Sequence, residues 1–385
     1  MNERTDPHDL HAASRRASAG MLLFDNSLSI LNRTGAYHIA KDLTREFVPG
    51  WAGVRYWRLG SFAPEGLVRK IVARLMMLEI NWLRDSEIFL IRDKVDERSF
   101  RLFLDPLYVL RSRLTENDVV LCHDVGPLTH SNLYDERTCA NYRLAYEKIR
   151  RVRPGVVFVS NFSANHFEFL FGSDFRFLKT IPLYLRTELF NGRAEAVPGV
   201  SGQFFLTVGA FETRKNQIAA VKAYRDGGFH RQGVGYVLCG PRGDGHAEIA
   251  ELAGTVPGVR LMGYVPDAQL RWLYANAGAF VLPSLLEGFG MPALEAAYMG
   301  LLPIVSAGSA LVEAVGGVCS QVPPDSHAAI AEAMRKALSR SSAEKAETSR
   351  LLRDTASAAT QDRFLQQWKE LLVANATRTA SPATL

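Results

Sequence analysis

Two glutamates, Glu287 and Glu295, bracket a G-F-G-M-P turn in the segment Ser284 to Glu295 (S-L-L-E-G-F-G-M-P-A-L-E), and an apolar run, Gly278 to Pro283, precedes it. A buried strand, a glycine-bearing loop and a helix start, in that order, make a site for a phosphate. Gly288 and Gly290 let backbone N–H groups approach a ligand closely. Pro292 suits the first helical turn, where an N–H has no partner to lose. The helix N-terminus then presents free N–H donors and a positive dipole end to an anion. A carboxylate beside a phosphate repels it, so Glu287 and Glu295 are expected to face hydrogen-bond donors such as sugar hydroxyls. Each feature alone has a plainer reading. Glu295 suits a solvated first-turn acid that complements the helix dipole, and the glycines suit an ordinary loop. The combination is what points to a sugar phosphate.

Ligands of open α/β sheets sit beyond the carboxyl ends of the strands, so the residues after each apolar run bear on function. Phe204–Val208 is followed by G-A-F-E-T-R-K-N, Gly209 to Asn216. Arg214 and Lys215 open a helix there, where cations oppose the dipole. A diphosphate nearby resolves that cost; a solvated basic loop is the alternative. Gly240 to Gly245 (G-P-R-G-D-G) follows Gly235–Cys239, and Gly263 to Pro266 (G-Y-V-P) follows Val259–Met262. Both loops suit the edge of a base or ribose, and neither is specific alone. Val119–Cys122 delivers His123 and Asp124 just before a V-G-P loop. That edge position turns His123 toward a ligand rather than the core, and Asp124 is expected to set its tautomer. Met21–Asp25 leads to Asn32-Arg33-Thr34-Gly35, and Val156–Val159 to the hydroxyl-rich turn Ser160-Asn161-Phe162-Ser163.

The elements that must position these loops repeat along the chain. Strands are expected at Met21–Asp25, Val54–Leu59, Glu87–Ile91, Val119–His123, Val156–Ser160 and Phe177–Pro182 in the first half. In the second half they are expected at Phe204–Val208, Gly235–Cys239, Val259–Met262, Ala279–Leu282 and Leu302–Val305. Runs without polar alternation fit parallel strands covered on both faces. Helical patterns lie between, at Asn216–Asp226, Ala268–Ala277, Met291–Met299 and Ser326–Leu338. Repeated βα units in both halves predict two doubly wound domains. A Gly/Pro-rich boundary falls at Arg193–Gln203. The domains are expected at 21–192 and 204–354, after an N-terminal arm over 1–20. A charged polar stretch, Ser339–Arg353, precedes a last helix from Thr355 to Val373 within a closing segment over 355–375, and the tail after Asn375 is expected to fray.

Composition narrows the class. The chain has 385 residues, 47% hydrophobic and 22% charged, as a globular protein of two domains would. No apolar run is long enough to span a bilayer, and the polar N-terminus is no signal peptide. The net charge of +5 suits anionic small molecules or an anionic membrane surface. No nucleic-acid motif is present, so a nucleic-acid partner is not expected. The four cysteines, Cys122, Cys139, Cys239 and Cys319, lack metal-ligand spacing and read as free thiols of a reducing cytoplasm. Gly66 to Arg84 is a mildly basic helix with Arg69, Lys70 and Arg74 among Leu67, Val68, Ile71, Val72, Leu75 and Met76. It fits either packing on the first-domain sheet, which is favoured, or peripheral contact with an anionic membrane.

With these residues in hand the chain resembles the retaining glycosyltransferases of family 4. The P-S-L-L-E-G-F-G-M-P-A-L-E-A segment, the G-A-F-E-T-R-K-N loop, G-Y-V-P-D-A-Q-L-R-W-L-Y, H-D and N-R-T-G carry the likeness. It covers about residues 20–375 and is closest in Phe204–Asp325. Within the family it is most similar to bacterial mannosyltransferases of surface-polysaccharide assembly. The resemblance implies an α/β GT-B fold, two Rossmann-like doubly wound domains facing across a cleft, with the C-terminal helix crossing back to the first. It implies Lys215, assisted by Arg214, on the donor diphosphate; Glu287 on donor-sugar hydroxyls; and Gly288, Phe289, Gly290 and Met291 around sugar and phosphate. It further implies Glu295 on the ribose, Val265 on the base, His123 beside the transferred sugar and Gly35 near the diphosphate. Two departures stand out: Ala210 and His38 occupy positions where many relatives carry arginine.

The implied reaction moves mannose from GDP-mannose, a co-substrate rather than a cofactor, to a saccharide or lipid-linked saccharide in polysaccharide or O-antigen synthesis. No metal is expected. The implied place is the cytoplasm, at most peripheral on the plasma membrane. A UDP-sugar donor is the near alternative. A nucleotide-sugar epimerase or a non-catalytic binding protein on the same fold are more distant ones. A nicotinamide dehydrogenase is disfavoured, because Gly240, Gly243 and Gly245 lack the G-x-G-x-x-G spacing.

Overall fold

The computed structural model describes residues 22–31, 35–49, 52–83, 86, 91 and 99–380. They divide into two compact units. The first takes the described residues within Met1–Val159, Ser163–Ile181 and Leu365–Leu385; the second takes Ser160–Phe162 and Pro182–Phe364.

Each unit is built on a six-stranded, wholly parallel sheet. The first contains β1 (Leu22–Asp25), β2 (Ala52–Arg55), β3 (Phe100–Phe103), β4 (Val119–Cys122), β5 (Gly155–Phe158) and β6 (Phe177–Thr180), in spatial order β2-β1-β3-β4-β5-β6. The second contains β7 (Phe204–Val208), β8 (Gly235–Cys239), β9 (Val259–Met262), β10 (Ala279–Leu282), β11 (Pro303–Ser306) and β12 (Ser320–Val322), in order β12-β11-β10-β7-β8-β9. Strands such as V-V-L-C of β4 and A-F-V-L of β10 are buried at every position, as a parallel sheet covered on both faces requires. The order reverses between β1 and β3 in the first sheet and between β7 and β10 in the second. Crevices for ligands open at such switch points.

Several sequence expectations need correction. The expected strand Val54–Leu59 ends at Arg55, and a 3₁₀ turn, Trp57–Leu59, takes over; Trp57 sits at φ +47°, outside the strand region. Strand β3 went unread because Arg101 interrupts its apolar pattern. Asp118 makes that arginine tolerable, accepting from its guanidinium at 2.7 Å and from its backbone N–H at 2.8 Å. The short edge strand β12 also went unread. The polar stretch 339–353 lies mostly within a helix, Ser342–Ser357, started by a capping box between Ser341 and Glu344. The last helix starts at Gln361 rather than Thr355 and continues to Ala380, past the point where fraying was expected. From Leu365 it belongs to the first unit. The expected arm over 1–20, most of Glu87–Ile91 and Asn32 to Thr34 lie outside the described residues.

Candidate functional site

The second unit gathers the proposed phosphate machinery at its switch point. β7 and β10 are hydrogen-bonded neighbours, so the loops leaving their carboxyl ends emerge side by side. The β7 loop runs through a 3₁₀ turn, Thr213–Lys215, to Asn216 at φ +54°, and the helix Gln217–Asp226 follows. Asn216 ties three loops together: its side-chain amide donates to the carbonyls of Pro283 at 3.0 Å and Pro324 at 2.7 Å. A left-handed conformation suits asparagine better than most residues. The β10 loop reaches Gly290 at φ +105°, from which the helix Met291–Tyr298 starts with Pro292 in its first turn. A Cβ on Gly290 would lie 2.3 Å from Leu311 Cδ2, so glycine is required both for conformation and for space.

The two loops meet in an ion cluster. Lys215 Nζ donates to Glu287 Oε1 at 2.6 Å, and Arg214 donates to Glu287 Oε2 at 3.0 Å and to the Leu286 carbonyl at 3.3 Å. Arg214 also pairs with Glu212 at 2.7 Å, and Ser284 Oγ donates to Glu287 Oε1 at 3.2 Å. Lys215 and Glu287 are buried. Burial by itself would raise the Glu287 carboxyl, but the charges of Lys215 and Arg214 outweigh it and hold the group at about 2. Both oxygens of Glu287 engage the cations, contacts that the expectation of sugar hydroxyls did not include. Each carboxylate oxygen has two lone-pair sites, and an ammonium has three N–H groups. The cluster therefore fixes Glu287 and Lys215 as a pair without exhausting either.

Glu295, on the helix Met291–Tyr298, accepts from the Tyr274 hydroxyl at 2.8 Å. Burial raises its carboxyl to about 7, against the Tyr274 hydrogen bond and the charge of Arg186. Burial thus favours the neutral form of Glu295, whereas the cations favour the ionised form of Glu287. Val265 is buried in the loop after β9, beside the exposed Tyr264. Burial pushes the Cys239 thiol up to about 12 and Cys122 higher still, which makes both inert at neutral pH. Among the described residues no group of three His, Cys, Asp or Glu side chains is placed to hold a metal ion.

In the first unit, His123 follows β4, where its ring Nε2 lies 3.0 Å from the Leu104 carbonyl. That contact, not Asp124, fixes the ring with a proton on Nε2. Asp124 instead accepts from the Gly126 N–H at 2.7 Å, two residues on. Sequence reading missed Asp105, which follows β3 at the switch point. Asp105 accepts from the Leu107 N–H at 2.8 Å and from the Tyr142 hydroxyl at 3.0 Å. Burial raises its carboxyl, while the nearby His123 ring pulls the other way. The signal was present as an Asp-Pro pair at a helical start. Gly35 opens the helix Gly35–Phe47, and among the described residues no atom lies within 4 Å of where a Cβ would stand. His38 lies on the same helix, 5.5 Å from the Tyr37 ring edge-on.

Comparison with known proteins agrees with this architecture. Residues 193–351 match the family described as glycosyl transferases group 1. A 117-residue stretch, 29% of this chain, is 39% identical to O-antigen chain mannosyltransferase B of Escherichia coli and spans 31% of that protein's length. Sucrose-phosphate synthase from Thermosynechococcus elongatus superposes over 94% of this chain and 100% of its own with a TM-score of 0.65, at 16% identity. Anabaena HepE, solved with UDP and glucose, superposes over 92% of this chain and 100% of its own with a TM-score of 0.63, also at 16% identity. These neighbours share the GT-B fold.

Proposed function

We propose that this chain, which carries a glycosyl transferases group 1 domain in a GT-B fold, transfers a sugar from a nucleoside diphosphate sugar to an acceptor hydroxyl. The observation that carries the reading is the Lys215–Glu287–Arg214 cluster at the second sheet's switch point, beside the N-terminus of the helix Met291–Tyr298. Lys215 and Arg214 bind the donor diphosphate, aided by the N–H groups around Gly288, Phe289, Gly290 and Met291. Glu287 accepts from donor-sugar hydroxyls with lone pairs the cations leave over. Glu295 holds the ribose and Val265 lies along the base. In the step itself the bond from sugar C1 to the diphosphate oxygen breaks as the acceptor oxygen bonds C1 on the same face, with retention. The acceptor proton passes to the leaving phosphate oxygen. Charge grows on the diphosphate in the transition state, where preorganised cations and N–H dipoles act most strongly. Lys215 and Arg214 are shared with Glu287 and Glu212, so the helix N-terminus and loop N–H groups carry part of that charge, and we infer no metal requirement. His123, with Nε2 engaged by Leu104, offers Nδ1 to a sugar hydroxyl.

The donor is GDP-mannose and the acceptor a saccharide or lipid-linked saccharide; similarity to a protein named as an O-antigen mannosyltransferase supports that choice. A UDP-sugar is the second reading, favoured by the fold shared with HepE, whose complexes hold UDP and glucose or UDP-glucose. A thermal-shift screen of nucleoside diphosphate sugars decides, since a ligand of the folded state raises Tm. Stabilisation by GDP-mannose alone is expected; stabilisation by UDP-glucose alone moves the donor, not the chemistry. Donor-release assays with and without a mannan-type acceptor separate transfer from epimerisation, which consumes donor without acceptor. Activity is expected to survive EDTA; loss restored by Mg²⁺ or Mn²⁺ would refute the metal claim. Glu287→Gln is expected to impair transfer more than binding of bare nucleotide, and Glu295→Gln to weaken bare nucleotide binding as well. Equal losses in calorimetry would overturn that division of roles.

A further inference from the structure

The helix Gly66–Leu83 has two apolar faces. Val72, Met76 and Ile80 are buried within the first unit. Leu67, Val68, Ile71, Leu75, Leu78 and Trp82 are exposed, Leu67 at 72% and Trp82 at 83%. At 100° per residue these six side chains fall within an arc of about 100° and along about 22 Å of helix. A stripe this continuous is more than the scattered apolar exposure of an ordinary surface. Lys70 and Arg74, both exposed, border it on one side. The helix's own acid, Glu79, is taken up by Arg58 at 2.6 Å and Arg111 at 2.8 Å. Glu65 precedes the first turn, where the dipole favours an acid. The outward face is therefore apolar with a cationic margin and carries no acid of its own. Phe62, in the turn just before the helix, is exposed as well.

We propose that this face lies in the interface of an anionic lipid bilayer, with the helix axis in the membrane plane. Long cationic stems flanking an apolar stripe let the chains bury their methylenes and keep the charge at the headgroups. An exposed tryptophan at one end suits the headgroup boundary. The cationic margin of Lys70 and Arg74 complements the negative surface of an anionic leaflet, which favours lipid as the occupant. Among the described residues no helix is long and apolar enough to cross a membrane, so the contact is peripheral. A pocket of about 260 Å³ between Tyr37, Lys41, Arg45 and Pro64 opens at the foot of the same helix. The inference stands apart from the transferase reading, since vesicle binding needs no turnover.

The test is flotation of the full chain with vesicles of pure phosphatidylcholine and of phosphatidylcholine containing about one third phosphatidylglycerol. Most of the protein is expected to float with the anionic vesicles at low salt, at least tenfold less with the neutral ones, and raised salt is expected to release it. Ile71→Ser with Leu75→Ser, and separately Lys70→Glu with Arg74→Glu, are each expected to cut the bound fraction at least tenfold while leaving the circular dichroism spectrum unchanged. If the apolar pair misfolds, the charge pair still decides. Wild type that stays unbound by anionic vesicles at low salt overturns the proposal, as do variants that bind like wild type. A dimer in sedimentation velocity that Ile71→Ser with Leu75→Ser dissolves, with no vesicle binding, assigns the face to a second copy instead.

Discussion

At the scale of single residues, the site separates two carboxyls by their surroundings. Glu287 lies between two cations and is held at about 2, while burial raises Glu295 to about 7 in spite of its hydrogen bond from Tyr274. Their contributions to stability carry opposite signs. Glu287 contributes stability above its unfolded value of 4.5 that is lost as pH falls from there toward about 2. Glu295 contributes stability below 4.5 that is lost as pH rises through about 7. Melting temperatures of Glu295→Gln across pH 4 to 8 are therefore expected to decline less on the alkaline side than those of wild type; an identical profile would show that burial does not hold this proton. Lys215→Ala removes the cation that pairs with Glu287 and, in the proposed mechanism, meets the diphosphate. Its turnover is expected to fall roughly a hundredfold or more, the scale of a lost electrostatic stabiliser. Near wild-type turnover would remove Lys215 from the mechanism.

Elements matter where a loop must turn sharply between a strand and a helix. Gly290 does this at φ +105° against Leu311, whereas among the described residues no atom lies within 4 Å of where a Cβ on Gly35 would stand. Gly290→Ala is expected to cost about 1–3 kcal/mol through strain and overlap, lowering Tm by several degrees in a thermal melt. Gly35→Ala is expected to leave Tm unchanged; if it nonetheless abolishes transfer, the position matters for close approach of a ligand rather than for folding. Asn216 is the corresponding device of the β7 loop. Losing its hydrogen bonds to Pro283 and Pro324 in Asn216→Ala strands two carbonyls and a left-handed backbone. A loss of about 1–3 kcal/mol is expected in denaturant unfolding; an unchanged midpoint would mean the three loops hold one another without it.

For the whole molecule, the division into two units has a measurable consequence. The proposed donor machinery lies within Pro182–Phe364, and binding slows exchange of the amides it orders. Hydrogen exchange of the full chain with GDP is expected to protect Gly209–Asn216 and Gly288–Met291, leaving β1 to β6 at their unliganded rates. Protection confined to the first unit would place the nucleotide elsewhere.

The sequence by itself determined the local order of this protein. Uninterrupted apolar runs such as A-F-V-L and V-V-L-C declared buried parallel strands, because covering both faces leaves no polar alternation. The glycines and Pro292 declared the turn that follows β10, because few residues tolerate that backbone. Ser341 and Glu344 also spelled out a helix start, and the charged composition around them hid it. Tertiary structure alone decided what pairs with what. Arg101 became a strand residue only because Asp118, distant in the sequence, neutralises it. His123 found the Leu104 carbonyl rather than its neighbour Asp124. Glu287 met Lys215 because β7 and β10 are adjacent at the switch point. Periodicity reports one element's exposure, whereas charge pairing depends on which strand ends the topology brings together. That is why the strand and loop pattern was legible in advance and the ion cluster was not.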